Sequence, residues 1–194
     1  ATKQNVEQKT FAAAPKGMEI KDEFSSKERF QKVASKFLKQ PDSYTDDLEV
    51  YADLLRGLKS GLGLERVSLF SVQADGQLKS VLHTGYSDKD PMRRFTLSLE
   101  VPSLFKKLSH KAKMVWVNDN NRQQISSELP DSFRECCSPR SFLLISLRRA
   151  DQPLAFVYAD NGTEHTPVSE FYAKNFKYLC AAANRCLNNP VANK

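Results

Sequence analysis

Residues 61–70 read Gly-Leu-Gly-Leu-Glu-Arg-Val-Ser-Leu-Phe, and within these ten positions the period of the sequence changes. Before them, Leu48, Tyr51, Leu54, Leu55 and Leu58 recur at helical spacing. That spacing predicts a helix over 46–60 with Gly61 in the left-handed position past its last turn. After them the period falls to two: Val67–Val72 and Leu78–Thr84 flank Asp75-Gly76, a strong hairpin signal. The stretch is therefore a helix-to-strand junction, where Gly61 and Gly63 turn the chain without a Cβ clash. It does not fit a dinucleotide-phosphate loop, because Arg66 replaces the third glycine and the segment precedes a strand instead of following one.

Upstream, Ser26 is an N-cap candidate for a helix carrying Phe30, Val33, Ala34, Phe37 and Leu38, stopped by Pro41. Residues 1–25 are polar and aperiodic, and read as a linker or arm. Downstream, Phe95–Leu99 is a third strand, Pro102 opens a short helix with Leu104, Phe105 and Leu108, and Lys113–Val117 is a fourth strand. Residues 118–140 form a long polar excursion with a helical turn expected around Ser132–Cys136. Loops of this length are uncommon inside compact domains unless they cover a site or are disordered. Ser141–Leu147 and Leu154–Ala159 are apolar strands joined by a turn over Ala150–Pro153. A final helix is predicted with Thr166 as cap and Pro167 at its first position. Its face is Val168, Phe171, Tyr172, Phe176, Leu179, Cys180, Ala183 and Leu187. The order predicts one α+β domain over 26–190, with its core over 45–188.

Composition narrows the function. The net charge is +6, but residues 1–40 hold nine Lys and Arg against five Asp and Glu, and residues 41–194 hold twenty against eighteen. A nucleic-acid groove needs basic residues concentrated on the folded body, so nucleic acid is disfavoured as a partner. Cys136, Cys137, Cys180 and Cys186 have neither disulfide-framework nor zinc spacing, and reduced cytoplasmic thiols are expected. Neither a secretory signal nor an apolar run of about 18 residues occurs, so no membrane segment is expected. The chain begins at Ala1 without an initiator Met and is expected to be a fragment of a longer protein. Hydrolase, metalloprotease and P-loop signatures are missing.

The segments Gly61–Phe70, Ser-Phe-Leu-Leu-Ile-Ser-Leu at 141–147 and Gln152–Asp160, in this element order, resemble a GAF domain. Gly61–Val67 is similar to the GAF-like regions attached to bacterial HDOD signalling proteins. The resemblance implies a six-stranded antiparallel GAF/PAS-like sheet, an α/β sandwich. Terminal helices cover one face, and short helices and loops the other. It implies a non-catalytic sensory module that binds a small ligand or a protein partner and relays through its terminal helices, with a homodimer formed by those helices. A degenerate fold serving only for dimerisation or docking is the alternative. The Asn-Lys…Phe…Asp-Glu pattern of cyclic-nucleotide-binding relatives is missing, as is the Cys-His pair of bilin-binding ones, so the cofactor is left unknown.

By the same resemblance, the pocket walls are expected at Phe95, Trp116, Asn118, Asp119, Phe133 and Ser141, with Arg94 beside Arg93 offering an anion contact. Trp116 reads more simply as core, and His83 as a structural strand histidine. Cys136 and Cys137 are redox candidates. In GAF-fold enzymes that reduce free methionine sulfoxide, a reactive Cys precedes the corresponding strand, and Arg134 and Arg140 are expected to lower a thiol pKa. Those enzymes also carry resolving cysteines near the third strand, whereas residues 95–117 here contain none. Asp160-Asn161-Gly162 and Glu164-His165 read as turn chemistry.

Overall fold

The computed structural model describes residues 22–111, 113–137, 140–162 and 166–189. Its strands are β1 (Arg66–Val72), β2 (Gln77–Thr84), β3 (Thr96–Ser98), β4 (Met114–Val117), β5 (Phe142–Arg149) and β6 (Gln152–Asp160). They form one antiparallel sheet in the order β3-β2-β1-β6-β5-β4. The central strands are apolar at odd and even positions alike, so both faces need cover. Val67, Leu69, Leu143, Leu147, Val157 and Ala159 face one hydrophobic layer; Phe70, Phe142, Leu144, Phe156 and Tyr158 face the other.

The first layer is built by α1 (Lys27–Lys39), α2 (Asp47–Arg56) and α6 (Glu170–Leu187). Ser26 caps α1, accepting from Arg29 N at 3.3 Å, and Asp46 caps α2, accepting from Glu49 N at 2.9 Å. Phe30, Val33, Ala34 and Phe37 bury the inner stripe of α1, while Leu38 is 41% exposed. On α2 the inward positions include Val50, Tyr51, Leu54 and Leu55, and Leu48, expected inside, is 53% exposed.

The junction differs in detail from the sequence expectation. The helix does not end before Gly61 but continues as a π-helical segment, Gly57–Leu62. The left-handed residue is Gly63, at φ +103°, whose N–H donates to Leu58 O. Gly61 serves close packing, since a Cβ there would lie 2.9 Å from the Phe30 backbone. The hairpin turn is as expected, with Gly76 at φ +76° and Gln77 N donating to Asp75 Oδ1 at 3.0 Å.

The opposite layer is the lid: a 3-10 turn at Pro91–Arg94, then α3 (Leu104–Ser109), α4 (Arg122–Ser126) and α5 (Asp131–Cys136). α5 matches the expected turn, and α4 was not anticipated. α6 begins three positions later than expected, at Glu170 with Ser169 in the cap position. Val168 is already committed elsewhere, its carbonyl accepting from Trp116 Nε1 at 3.0 Å and its N–H donating to Ser141 Oγ at 3.0 Å. Residues 1–21 of the arm and the pair Glu164-His165 lie outside the described residues. Among the described residues, no helix is long and apolar enough to cross a membrane.

Candidate functional site

Between sheet and lid, where the resemblance implies a pocket, aromatic rings pack on one another. Phe133 projects from α5 and is fully buried. Its ring centroid lies 5.4 Å from Phe95, 5.2 Å from Phe105 and 5.5 Å from Tyr158, all edge-to-face. Phe105 of α3 adds a T-shaped contact with Phe156 at 5.6 Å. Edge-to-face packing is the favoured geometry for ring quadrupoles, so the lid is held to the sheet by oriented aromatic contacts as well as by burial.

Above this layer lies an open cleft of about 550 Å³ between residues 88–96 and α5. Arg94, Phe95 and Cys136 line it, together with Lys89, Asp90 and Glu135. Phe95 lies just outside β3, closing the 3-10 turn. Asp90 is spent on local structure, accepting from Met92 N at 2.9 Å, and Arg93 is paired with Asp88. Arg94 is exposed and makes no ion pair among the described residues.

The expectation that Arg134 and Arg140 lower a thiol pKa is corrected here. Arg134 pairs with Asp131, and Arg140 forms a two-pronged pair with Asp119 at 2.6 and 2.7 Å, so neither guanidinium activates a thiol. Burial, then the nearby Asp90 and Glu135 carboxylates, pushes the Cys136 thiol up. Cys137 is buried, its Sγ 2.7 Å from Tyr158 OH, and burial followed by the Asp160 charge pushes it up to about 12. Such a thiol stays protonated at neutral pH, and the thiolate is the reactive form.

Cys137 belongs to a polar centre that sequence reasoning missed. Arg66 Nε and Nη2 donate to Asp160 Oδ1 and Oδ2 at 2.7 and 2.8 Å, and Tyr158 OH donates to Asp160 Oδ2. Gly162 N also donates to Asp160 Oδ1 at 2.7 Å, the one part foreseen as turn chemistry. Arg66 and Asp160 lie opposite each other in the β1–β6 register, across 94 positions of sequence. Charged residues ending two apolar strands were the available signal, but pairing them required the strand order. The hydroxyls of Ser68 and Tyr86 are buried near this centre, and burial, then the Asp160 charge, pushes the Tyr86 phenol up.

The other expected wall residues gather elsewhere. Trp116 faces the helix layer, paired across from Leu143, and donates to Val168 O. Ser141 Oγ donates to Val117 O at 2.7 Å. Asn118 Oδ1 accepts from Asn120 N at 3.0 Å, and Asp119 is engaged by Arg140. This group clamps the β4–β5 end to the start of α6. His83 is half-buried with Nδ1 unpartnered, and burial, then Arg93, lowers its pKa against the opposing pull of Asp90. Among the described residues, no group of three His, Cys, Asp or Glu side chains could hold a metal ion.

The sequence matches no family model and no curated protein. Solved structures do align over most of it. The GAF domain/HD domain protein from Geobacter sulfurreducens aligns with TM-score 0.58 at 17% identity, over 77% of this chain and 96% of that one. The phycocyanobilin-bound GAF domain from a cyanobacterial phytochrome gives TM-score 0.59 at 12% identity, over 83% and 92%. The free methionine-R-sulfoxide reductase from Neisseria meningitidis, in complex with its substrate, gives TM-score 0.58 at 15% identity, over 81% and 87%.

Proposed function

Since the chain has the GAF fold, we propose that it is a non-catalytic regulatory module of a cytoplasmic bacterial signal-transduction protein, acting by docking to a partner. Its parent is proposed to be of the HDOD-associated kind, which the wording of Gly61–Val67 supports. The observation that carries the docking reading is the aromatic layer: Phe105, Phe133, Phe156 and Tyr158 fill the lid-side interior with the chain's own rings. The raised Cys136 and Cys137 thiols, with no cysteine on β3, α3 or β4, support the absence of a redox reaction. Output runs through α1 and α6, the first and last helices among the described residues. A second reading, small-ligand sensing, is favoured by the open cleft with its unpaired Arg94.

The two readings separate in a thermal-shift panel of cyclic mono- and dinucleotides, haem, 2-oxo acids, amino acids and methionine sulfoxide. A ligand at a hundredfold excess over its Kd stabilises a native state by about 2.7 kcal/mol. A flat panel is expected. A reproducible shift that disappears in Arg94→Ala overturns the docking reading and returns the chain to the ligand sensors.

A further inference from the structure

The helix layer differs in charge from the rest of the molecule. α1 carries five basic residues and one acidic, and α6 three basic and one acidic. Together they hold eight of the 29 basic and two of the 23 acidic side chains, leaving twenty-one of each elsewhere. Two helices thus account for the whole net charge of +6. Two of their cations are paired, Lys36 with Asp53 and Lys174 with Glu170, each at 2.8 Å. Lys27, Arg29, Lys32, Lys39, Lys177 and Arg185 are exposed and make no ion pair among the described residues.

Between α1 and α6 runs a groove of about 440 Å³, lined by Phe24, Phe30, Ala34, Leu38, Lys39 and Tyr178. Leu38 and Tyr178, 41% and 51% exposed, are two of the five large apolar side chains left open to solvent among the described residues, and both open into this groove. Its floor is aromatic: Phe24 packs on Phe30 with centroids 4.8 Å apart, and Phe30 faces Tyr178 at 6.3 Å. Apolar residues in a groove between two helices, with the unpaired Lys39 on its wall and further exposed cations on the same two helices, match the way an amphipathic helix seats its apolar stripe between parallel ridges.

We propose that the α1/α6 groove seats an acidic amphipathic helix of a partner protein. Leu38 and Tyr178 take its apolar stripe, Lys39 on the groove wall meets a carboxylate on its flank, and the surplus of exposed cations on α1 and α6 favours an acidic partner. α1, 13 residues long, spans about 20 Å, enough for three to four turns of a bound helix. Charge complementarity sets the choice of occupant. A second copy of this chain brings the same cationic face against itself. A nucleic acid answers the cations but leaves the apolar groove unused. An anionic membrane needs apolar side chains that protrude, whereas these line a recess. The chain's own residues 1–21 hold four basic and two acidic residues, which adds to the charge instead of answering it. The proposal rests on the docking reading and names its surface.

The test is fluorescence anisotropy with the full chain and two labelled helical peptides of about five turns. One has Leu at i, i+4, i+7 and i+11 with Glu on both flanks; the other has Lys in place of Glu. The Glu peptide is expected to bind at least about tenfold tighter than the Lys peptide, and less tightly as salt rises. Lys32→Glu/Lys39→Glu/Lys177→Glu is expected to lose that affinity at least about tenfold, and Leu38→Ser/Tyr178→Ser to weaken both peptides. All five positions are exposed, so circular dichroism and melting are expected to be unchanged, and Arg94→Ala is expected to bind as the parent does. Failure of the Glu peptide to bind, equal binding of the two peptides, or full binding by the charge-reversed chain overturns the proposal. So does tighter binding of an oligonucleotide or of phosphatidylserine vesicles, or a dimer in sedimentation that Leu38→Ser abolishes. Binding seen only after deletion of residues 1–21 assigns the groove to that segment and also overturns it. A ligand hit in the thermal panel with peptide binding intact defeats the docking reading's account of the interior alone. A flat panel without peptide binding defeats the groove alone.

Discussion

Asp53 shows how a single carboxylate fastens the helix layer. It is buried on α2 and accepts from Lys36 Nζ of α1 at 2.8 Å and from Tyr44 OH at 2.9 Å, with Arg56 completing the set. Burial alone raises its pKa, but the Lys36 and Tyr44 hydrogen bonds and the Lys36 and Arg56 charges outweigh burial and hold it below the ordinary carboxylate range. A carboxylate depressed in the folded state contributes stability above the unfolded pKa, near 3.9, and that contribution fades as pH falls through the folded value. Asp53→Asn is therefore expected to cost about 1–3 kcal/mol at neutral pH, discounted toward the lower end because Lys36 is partly exposed. In urea titrations the gap between parent and variant should hold steady from about pH 8 to pH 5 and narrow below about pH 4. A gap unchanged at pH 3 would mean that the hydrogen-bonding shape of Asp53, and not its charge, carries the effect.

α5 shows how one short element can depend on one anchor. Its six residues have no side-chain cap, and its buried contact with the sheet is Phe133. Phe133→Ala is expected to destabilise the fold by about 3–5 kcal/mol, read from denaturant midpoints. A loss under about 1 kcal/mol would show that the neighbouring rings collapse into the space. At this scale the sequence was most legible where period and punctuation agreed, as in the Ser26 cap, the Asp75-Gly76 hairpin and the two long apolar strands β5 and β6. α4 escaped notice because a single apolar side chain, Ile125, among its five residues sets no period. The face of Trp116 was also hidden, because Met114–Val117 is apolar at every position and alternation then cannot tell the layers apart. The start of α6 was misplaced because Thr166-Pro167 has the local chemistry of a helix start, while bonds from residues 27 and 52 positions away claim Val168 first. Of the expected site, Arg94, Phe95 and Cys136 converge on the cleft, with Phe133 beneath them. The Arg66–Asp160 centre depended on strand order, which no local pattern carries.

Across the whole molecule, stability should be graded from sheet to lid. β1 and β6 pair at the centre of the sheet and are buried on both faces. α4 has no buried residue, and α5 has one. Hydrogen exchange is expected to show amides of β1, β5 and β6 opening only with global unfolding, and residues 122–136 opening at lower free energy. Equal protection in both regions would make lid and sheet one cooperative unit. The order of the strands has a further consequence. The eight- and nine-residue strands β2, β5 and β6 are interior, and the sheet ends on β3 and β4, only three and four residues long. Unsatisfied edge amides are what an incoming chain needs in order to extend a sheet, and stubs this short offer few of them. The aggregation-prone segments Phe142–Leu147 and Ala155–Ala159 are thus kept from templating fibrils for as long as the fold stays closed.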